Sequence, residues 1–208
     1  MLMKYPVITI GREFGSGGRK IGEAIAKKLG IELYDKTIID MVADKSGCSV
    51  DFVEENDQKL TRSMLFQIAV TGTLPPWINE ENAPEAGGNL FDAQSEVIRD
   101  IAAKGGCVIV GRCADYILRD DPNRLAVFIR GDNNDKLDRC IKEYGLNPRS
   151  AVVDMMRRDK ERADYYEHYT GSKWGSLENY DLCLNSSLLG IDGCIEIILN
   201  VIDHLTEK

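Results

Sequence analysis

"ITIGREFGSGGRKIGEAIAKKLG", Ile8 to Gly30, joins a β-branched apolar run to a glycine-rich loop and then to a stretch with helical spacing. Glycines at 11, 15, 17 and 18 free the backbone to bend tightly, and Ser16 adds a hydroxyl. Ile21, Ile25 and Leu29 recur every four residues, with Ala24 and Ala26 as strong helix formers, so the spacing predicts a helix over Arg19–Leu29. A helix N-terminus offers unpaired N–H groups and a positive dipole end, and glycines just before it let an anion approach. The stretch therefore reads as a phosphate cradle over Arg12–Lys20. It departs from the general pattern G-x-x-x-x-G-K-[ST] at two places: the first glycine falls on Arg12, and the lysine falls on Gly18. Arg12, Arg19 and Lys20 still leave positive charge beside the loop. Either Arg12 or Arg19 can act where the lysine is missing, since a cation stabilises a phosphoryl group in transfer. The alternative is that Arg19 and Lys20 are solvated first-turn residues, a poor position for a cation unless an anion sits there.

Four further apolar runs have the length of short strands: Ile31–Asp35, Cys107–Arg112, Leu125–Gly131 and Tyr180–Asn185. With the run Pro6–Gly11 they predict five strands buried on both faces, as in a parallel sheet. Helical patterns separate them: Lys36–Lys45, Asp92–Lys104, Asp132–Glu143, a helix capped by Asn147 with Pro148 as its first residue and running to about Tyr166, and a closing helix Ile191–Leu205. Strand and helix in alternation give a doubly wound α/β fold, one domain over residues 1–208. The stretch Thr71–Leu90 breaks the alternation. It holds three of the six prolines, and Trp77 within it needs cover. It is an ordered insertion, a substrate-covering loop or the contact of a homo-oligomer.

Composition narrows the function classes. The 208 residues carry a formal net charge of -8, which argues against a nucleic acid polymer as partner. A small anion remains compatible, because a local cluster of cations can hold it. No apolar run approaches the roughly 18 residues of a membrane span, and the first residues do not read as a signal peptide, so the expected location is the cytoplasm. The six cysteines show no CxxC pair and the chain has two histidines, so reduced thiols are expected rather than a zinc site.

Taken together, the loop, the strand ending "VIVGRC" (Val108–Cys113), the segment "MRRDKER" (Met156–Arg162) and "CLNSS" (Cys183–Ser187) resemble the P-loop nucleoside monophosphate kinases, most closely the cytidylate kinases. The resemblance runs from Pro6 to about Leu205, outside Thr71–Leu90. It implies a P-loop NTPase-type parallel five-stranded sheet flanked by helices, with a helical lid over about 147–170. It also implies ATP, Mg2+ and phosphoryl transfer to a small-molecule acceptor, a nucleoside monophosphate. In the ungapped match the family's loop lysine falls on Gly18, and its next two residues on Arg19 and Lys20. The serine and arginine that hold cytidylate in the family fall on Lys36 and Met41, and the aspartate after "GR" falls on Cys113.

Candidate residues follow from both lines. Gly11, Arg12, Gly15, Ser16, Gly17, Gly18, Arg19 and Lys20 form the nucleotide side. Asp35, Lys36, Arg112 and Arg157 form the acceptor side: an arginine at a strand's carboxyl end can hold a phosphate through two parallel hydrogen bonds. Its alternative is a pairing with Asp115 or Glu96, and a helix cap reads Asp35 equally well. Arg158 and Arg162 stand four apart and share a helix face. With Arg12 and Arg19 they are the candidate catalytic cations; their alternative is a set of solvated helix pairs. No covalent nucleophile is expected. Cys113 beside Arg112 reads as a buried thiol, and Tyr165, Tyr166 and Tyr169 as packing against Trp174 or a base-stacking surface.

Overall fold

The computed structural model describes residues 5–58 and 89–206. The insertion expected over 71–90, with Trp77 and the homo-oligomer contact considered there, lies outside the described residues except for Asn89 and Leu90, which open a helix. β1 (Val7–Arg12) leads through the glycine loop into α1 (Gly18–Leu29). Then follow β2 (Glu32–Tyr34), α2 (Thr37–Ser46) and α3 (Val50–Asn56), and after the undescribed stretch α4 (Asn89–Ala102). β3 (Cys107–Val110), α5 (Ala114–Ile117), β4 (Arg124–Arg130), α6 (Asn133–Lys142), α7 (Ala151–Thr170), β5 (Leu182–Asn185) and α8 (Ser186–Thr206) complete the chain.

All five strands run parallel in the order β2-β3-β1-β4-β5. β1 lies at the centre, paired with β3 through Ile8–Val108 and with β4 through Ile8–Leu125. Strand periodicity of two explains the two apolar layers. Val7 and Ile109 point to one layer with Ile38, Val42, Ile98 and Ile101 from α2 and α4. Ile8, Ile10, Val108, Val110 and Ile129 point to the other, against Ile21 and Ile25 of α1 and Ile198 and Ile202 of α8. Both layers are dry, so the strands read as continuous apolar runs rather than alternating ones. A parallel sheet brings every strand's carboxyl end to one edge, and the site forms there.

Both boundaries of α7 differ from the sequence expectation for local reasons. α7 starts at Ala151, not at Pro148, because Asn147 nucleates a turn: its Oδ1 accepts from the Arg149 N–H at 3.0 Å and its carbonyl from Ser150 at 3.0 Å. α7 also runs four residues past Tyr166, to a left-handed Gly171. The closing helix proper does begin at Ile191: residues 186–189 form one helical turn, and Gly190, at φ 70° and ψ 169°, breaks it. α3 carries no apolar periodicity that predicts it; Ser49 caps it, its hydroxyl accepting from Phe52 N–H at 3.2 Å.

The carboxyl half of α7 is tied to the sheet edge by a buried hydrogen bond. The Tyr166 hydroxyl donates to the Asp115 carboxylate at 2.6 Å, and Arg124 Nη1 donates to the Asp115 carbonyl at 2.7 Å. Burial raises the Asp115 carboxyl from its ordinary 3.8 to about 6, against the Tyr166 hydrogen bond, which pulls it down. The folded chain therefore holds a proton that the unfolded chain has lost between about pH 4 and pH 6. Stability falls as pH rises through that window and levels off above it. Asp115→Asn should remove this component: between pH 4 and pH 7 the stability of the variant relative to the parent should rise by on the order of 2–3 kcal/mol. Urea unfolding at the two pH values measures it, and a difference independent of pH would contradict it.

Candidate active site

The loop closes with Gly15 at φ 84° and Gly17 at φ 82°, both left-handed, a conformation glycine adopts without a Cβ penalty. α1 begins at Gly18 with Ile21 N–H bonded to Gly17 O, so the N–H groups of Gly17, Gly18, Arg19 and Lys20 have no intrahelical acceptor. They border a cavity of about 800 Å³ at the carboxyl edge of the sheet, lined by Arg12, Gly15, Gly17, Gly18, Asp35 and Arg112 among others. Two of the expected loop contacts face elsewhere. Ser16 is fully buried and its hydroxyl donates to Glu13 O at 2.8 Å. Gly11 lies against Phe128 and Tyr180 on the other side of β1.

The cations divide into two groups. Arg19, Lys20, Lys36 and Arg157 are exposed. Arg19 pairs with Glu23 at 3.0 Å and Asp35 at 3.2 Å, Lys20 with Glu143, Lys36 with Glu54 at 3.7 Å, and Arg157 with Glu161 at 2.7 Å and Asp154 at 3.5 Å. Arg157 points out from α7 and does not line the cavity. Arg12, Arg112, Arg158 and Arg162 converge on the cavity. Arg158 and Arg162 lie over the Phe14 ring at 4.7 and 5.6 Å, as their spacing of four implies. Arg162 also donates to the Arg12 carbonyl at 3.1 Å and stands 3.6 Å from Asp159. Burial lowers both Arg12, to about 9, and Arg162; the Arg162 charge lowers Arg12 further.

Arg112 is 2 % exposed, and its partners are neither Asp115 nor Glu96. Asp57 accepts from its Nε at 2.9 Å and its Nη2 at 2.8 Å, a two-point grip, while Asp35 stands 3.4 Å from Nη1. The turn that aims it is strained. Gly111, Arg112 and Cys113 are all left-handed, at φ 76°, 57° and 55°, which costs roughly 1–2 kcal/mol for each non-glycine residue. Gly111 N–H to Ile10 O and Gln94 Nε2 to Arg112 O, at 3.0 and 3.1 Å, hold it. Cys113 is buried, and burial pushes its thiol well above the usual range, which fits a packing role. The tyrosines also pack: Tyr165 and Tyr169 against Phe91, at ring distances of 6.2 and 4.2 Å, while Trp174 meets Phe128 at 5.4 Å.

Sequence reasoning missed a buried charge cluster behind the loop. Lys136 of α6 reaches Glu13 at 3.0 Å and Asp159 of α7 at 3.6 Å. Asp159 accepts from the Phe14 N–H at 2.5 Å, and Glu13 from the Gly131 N–H at 2.9 Å. Arg139, one turn along α6, donates to Gly15 O. The signal was available in the spacing: Lys136 shares a helix face with buried Cys140, where an unpaired lysine would be costly. Asp57 and Gln58 were also missed, since nothing local marks them. Among the described residues no three His, Cys, Asp or Glu side chains are grouped to hold a metal ion. Lys136→Met takes the ammonium from half-buried Glu13 and Asp159 and leaves only Arg162 beside Asp159. It should cost about 3 kcal/mol in urea unfolding; a loss below about 1 kcal/mol would show that the cluster does not depend on that ammonium.

A family model described as the cytidylate kinase-like family matches residues 7–188. A cytidylate kinase of Thermococcus kodakarensis is 28 % identical over 201 residues, 96 % of this chain and 89 % of that protein. The crystal structure of an uncharacterized protein from Eubacterium ventriosum superposes with a TM-score of 0.70 at 31 % identity, covering 95 % of this chain and 98 % of the other. A gluconokinase from Sinorhizobium meliloti superposes at 0.51 and 13 % identity over 98 % and 97 % of the two chains, a likeness of fold alone.

Proposed function

The chain belongs to the cytidylate kinase-like family, and from that premise we propose that it transfers a phosphoryl group from ATP to a nucleoside monophosphate, cytidylate or a close relative. Kinase-type phosphotransfer to a small acceptor accords with the relatives and the fold. The observation that carries the nucleotide reading is the glycine loop opening, at a helix N-terminus, onto a cavity lined by five arginines, Arg12, Arg19, Arg112, Arg158 and Arg162. Loop amides and the dipole of α1 hold the donor's phosphates. Arg158 and Arg162, on the helix that covers the loop, supply charge to the equatorial oxygens in the transition state. Magnesium bound with ATP neutralises phosphate charge. The acceptor lies toward Asp35 and Arg112, at the ends of β2 and β3. A monophosphate is already ionised at neutral pH, so the transfer needs placement and charge rather than a strong base.

A specific observation favours a second reading. Arg112 is already held by Asp57 and Asp35. A phosphate must displace Asp57 to reach it, whereas a neutral hydroxyl compound can hydrogen-bond the carboxylates as they stand. An acceptor panel separates the two. With ATP and magnesium, cytidylate and other nucleoside monophosphates should give turnover well above that of phosphate-free polyols. Turnover with polyols alone would establish the second reading, and hydrolysis or binding without any acceptor activity would remove both. Arg158→Ala should lower kcat by about 10²-fold with little change in Tm, because its guanidinium makes no carboxylate pair among the described residues; a change confined to Tm would assign it to packing.

A further inference from the structure

Resting on that ATP reading, we propose that Arg12 is the cation of the phosphate site, through an exchange of side chains between positions 12 and 18. In the general phosphate-loop pattern the first position is glycine and the seventh is lysine. Here the first is Arg12 and the seventh is Gly18. The structure shows why the two departures belong together. A Cβ built on Gly18 would lie 2.6 Å from Arg12 Cβ and 3.2 Å from its Cγ. The positions face each other across one small volume, and only one of them can carry a side chain.

Arg12 uses the space that Gly18 vacates. It leaves the end of the central strand, crosses the first residue of α1 and lines the cavity beside Gly15, Gly17 and Gly18. Its far end is cleared by a second glycine: a Cβ on Gly111 would lie 1.8 Å from Arg12 Nη1. That Nη1 donates to Gln58 Oε1 at 3.0 Å, a neutral acceptor. Arg112, Arg162 and Arg19 each have a carboxylate within 4 Å. Among the described residues Arg12 has none. A half-buried guanidinium with no carboxylate within 4 Å among the described residues, disfavoured by burial and by Arg162 and Arg112 and only partly offset by the more distant Asp35 and Asp57, is a place where an anion gains free energy. The other loop cations do not meet these conditions: Arg19 and Lys20 are exposed and already paired with carboxylates.

The test has a steric arm and a chemical arm. For the first, Gly18→Ala should lower Tm in the parent and leave it nearly unchanged in an Arg12→Gly background; equal loss in both would refute the shared volume and with it the exchange. For the second, Arg12→Met keeps an unbranched apolar stem without the charge. It should weaken inorganic tripolyphosphate binding in calorimetry at least tenfold and lower kcat with ATP by about 10²- to 10³-fold. The double variant Arg12→Gly/Gly18→Lys, which restores the general pattern, should recover both to within tenfold of the parent. If Arg12→Met does not fold, the double variant decides alone. A folded double variant that neither binds tripolyphosphate nor turns over, or an Arg12→Met variant within threefold of the parent, overturns the proposal. A parent that binds neither ATP nor tripolyphosphate refutes the ATP reading before any variant is compared, and the role of Arg12 falls with it.

Discussion

The burial of Arg12 beside Arg162 and Arg112 at the carboxyl edge of the sheet is the constraint around which the site is arranged. Three guanidinium groups brought together with little water must be offset, and nearly every polar feature of the edge does so. Asp57 and Asp35 hold Arg112, Asp159 stands beside Arg162, and the Arg12 carbonyl accepts from Arg162. The offset is incomplete, since burial and neighbouring charge still leave Arg12 far below the usual arginine range. An incompletely compensated cluster costs stability, and in the proposed reading a phosphate chain removes that cost on binding. In a protein of net charge -8 the positive potential is thus local.

The same charges couple the loop to the helix above it. Lys136 joins Glu13 on the loop to Asp159 on α7, and Asp159 also accepts from the Phe14 amide. Phe14 in turn lies beneath Arg158 and Arg162. The position of α7 is therefore set at its middle by the loop and in its carboxyl half by the Tyr166–Asp115 hydrogen bond. A helix held at these two points presents its arginines with little conformational entropy left to lose.

The fold was readable because its signals are local. Continuous apolar runs marked the five strands, four-residue spacing marked α1, and glycine placement marked the loop. Gly190 hides a turn before the last helix without moving the start that the spacing implied. The site was readable only in part. Arg112 was found because it ends a strand, and Arg158 and Arg162 because they share a face. Their partners were not: Asp57 lies 55 residues from Arg112, and Glu13 lies 123 residues from Lys136. Such pairs are created by the crossing of elements, and no periodicity records them. The lysine missing from the loop looked like a loss on its own. The close approach of residues 12 and 18, on which the proposed exchange rests, exists only in three dimensions.

Family membership accords with the sheet and the loop, and the charge arrangement is what the proposed reading of the site rests on. The most direct examination of it is a crystal structure with a non-hydrolysable ATP analogue and magnesium. The account predicts phosphate oxygens against the amides of Gly17 to Lys20, with the Arg12 guanidinium within hydrogen-bonding distance of them. Phosphates bound elsewhere, or an Arg12 side chain turned away from them, would contradict it.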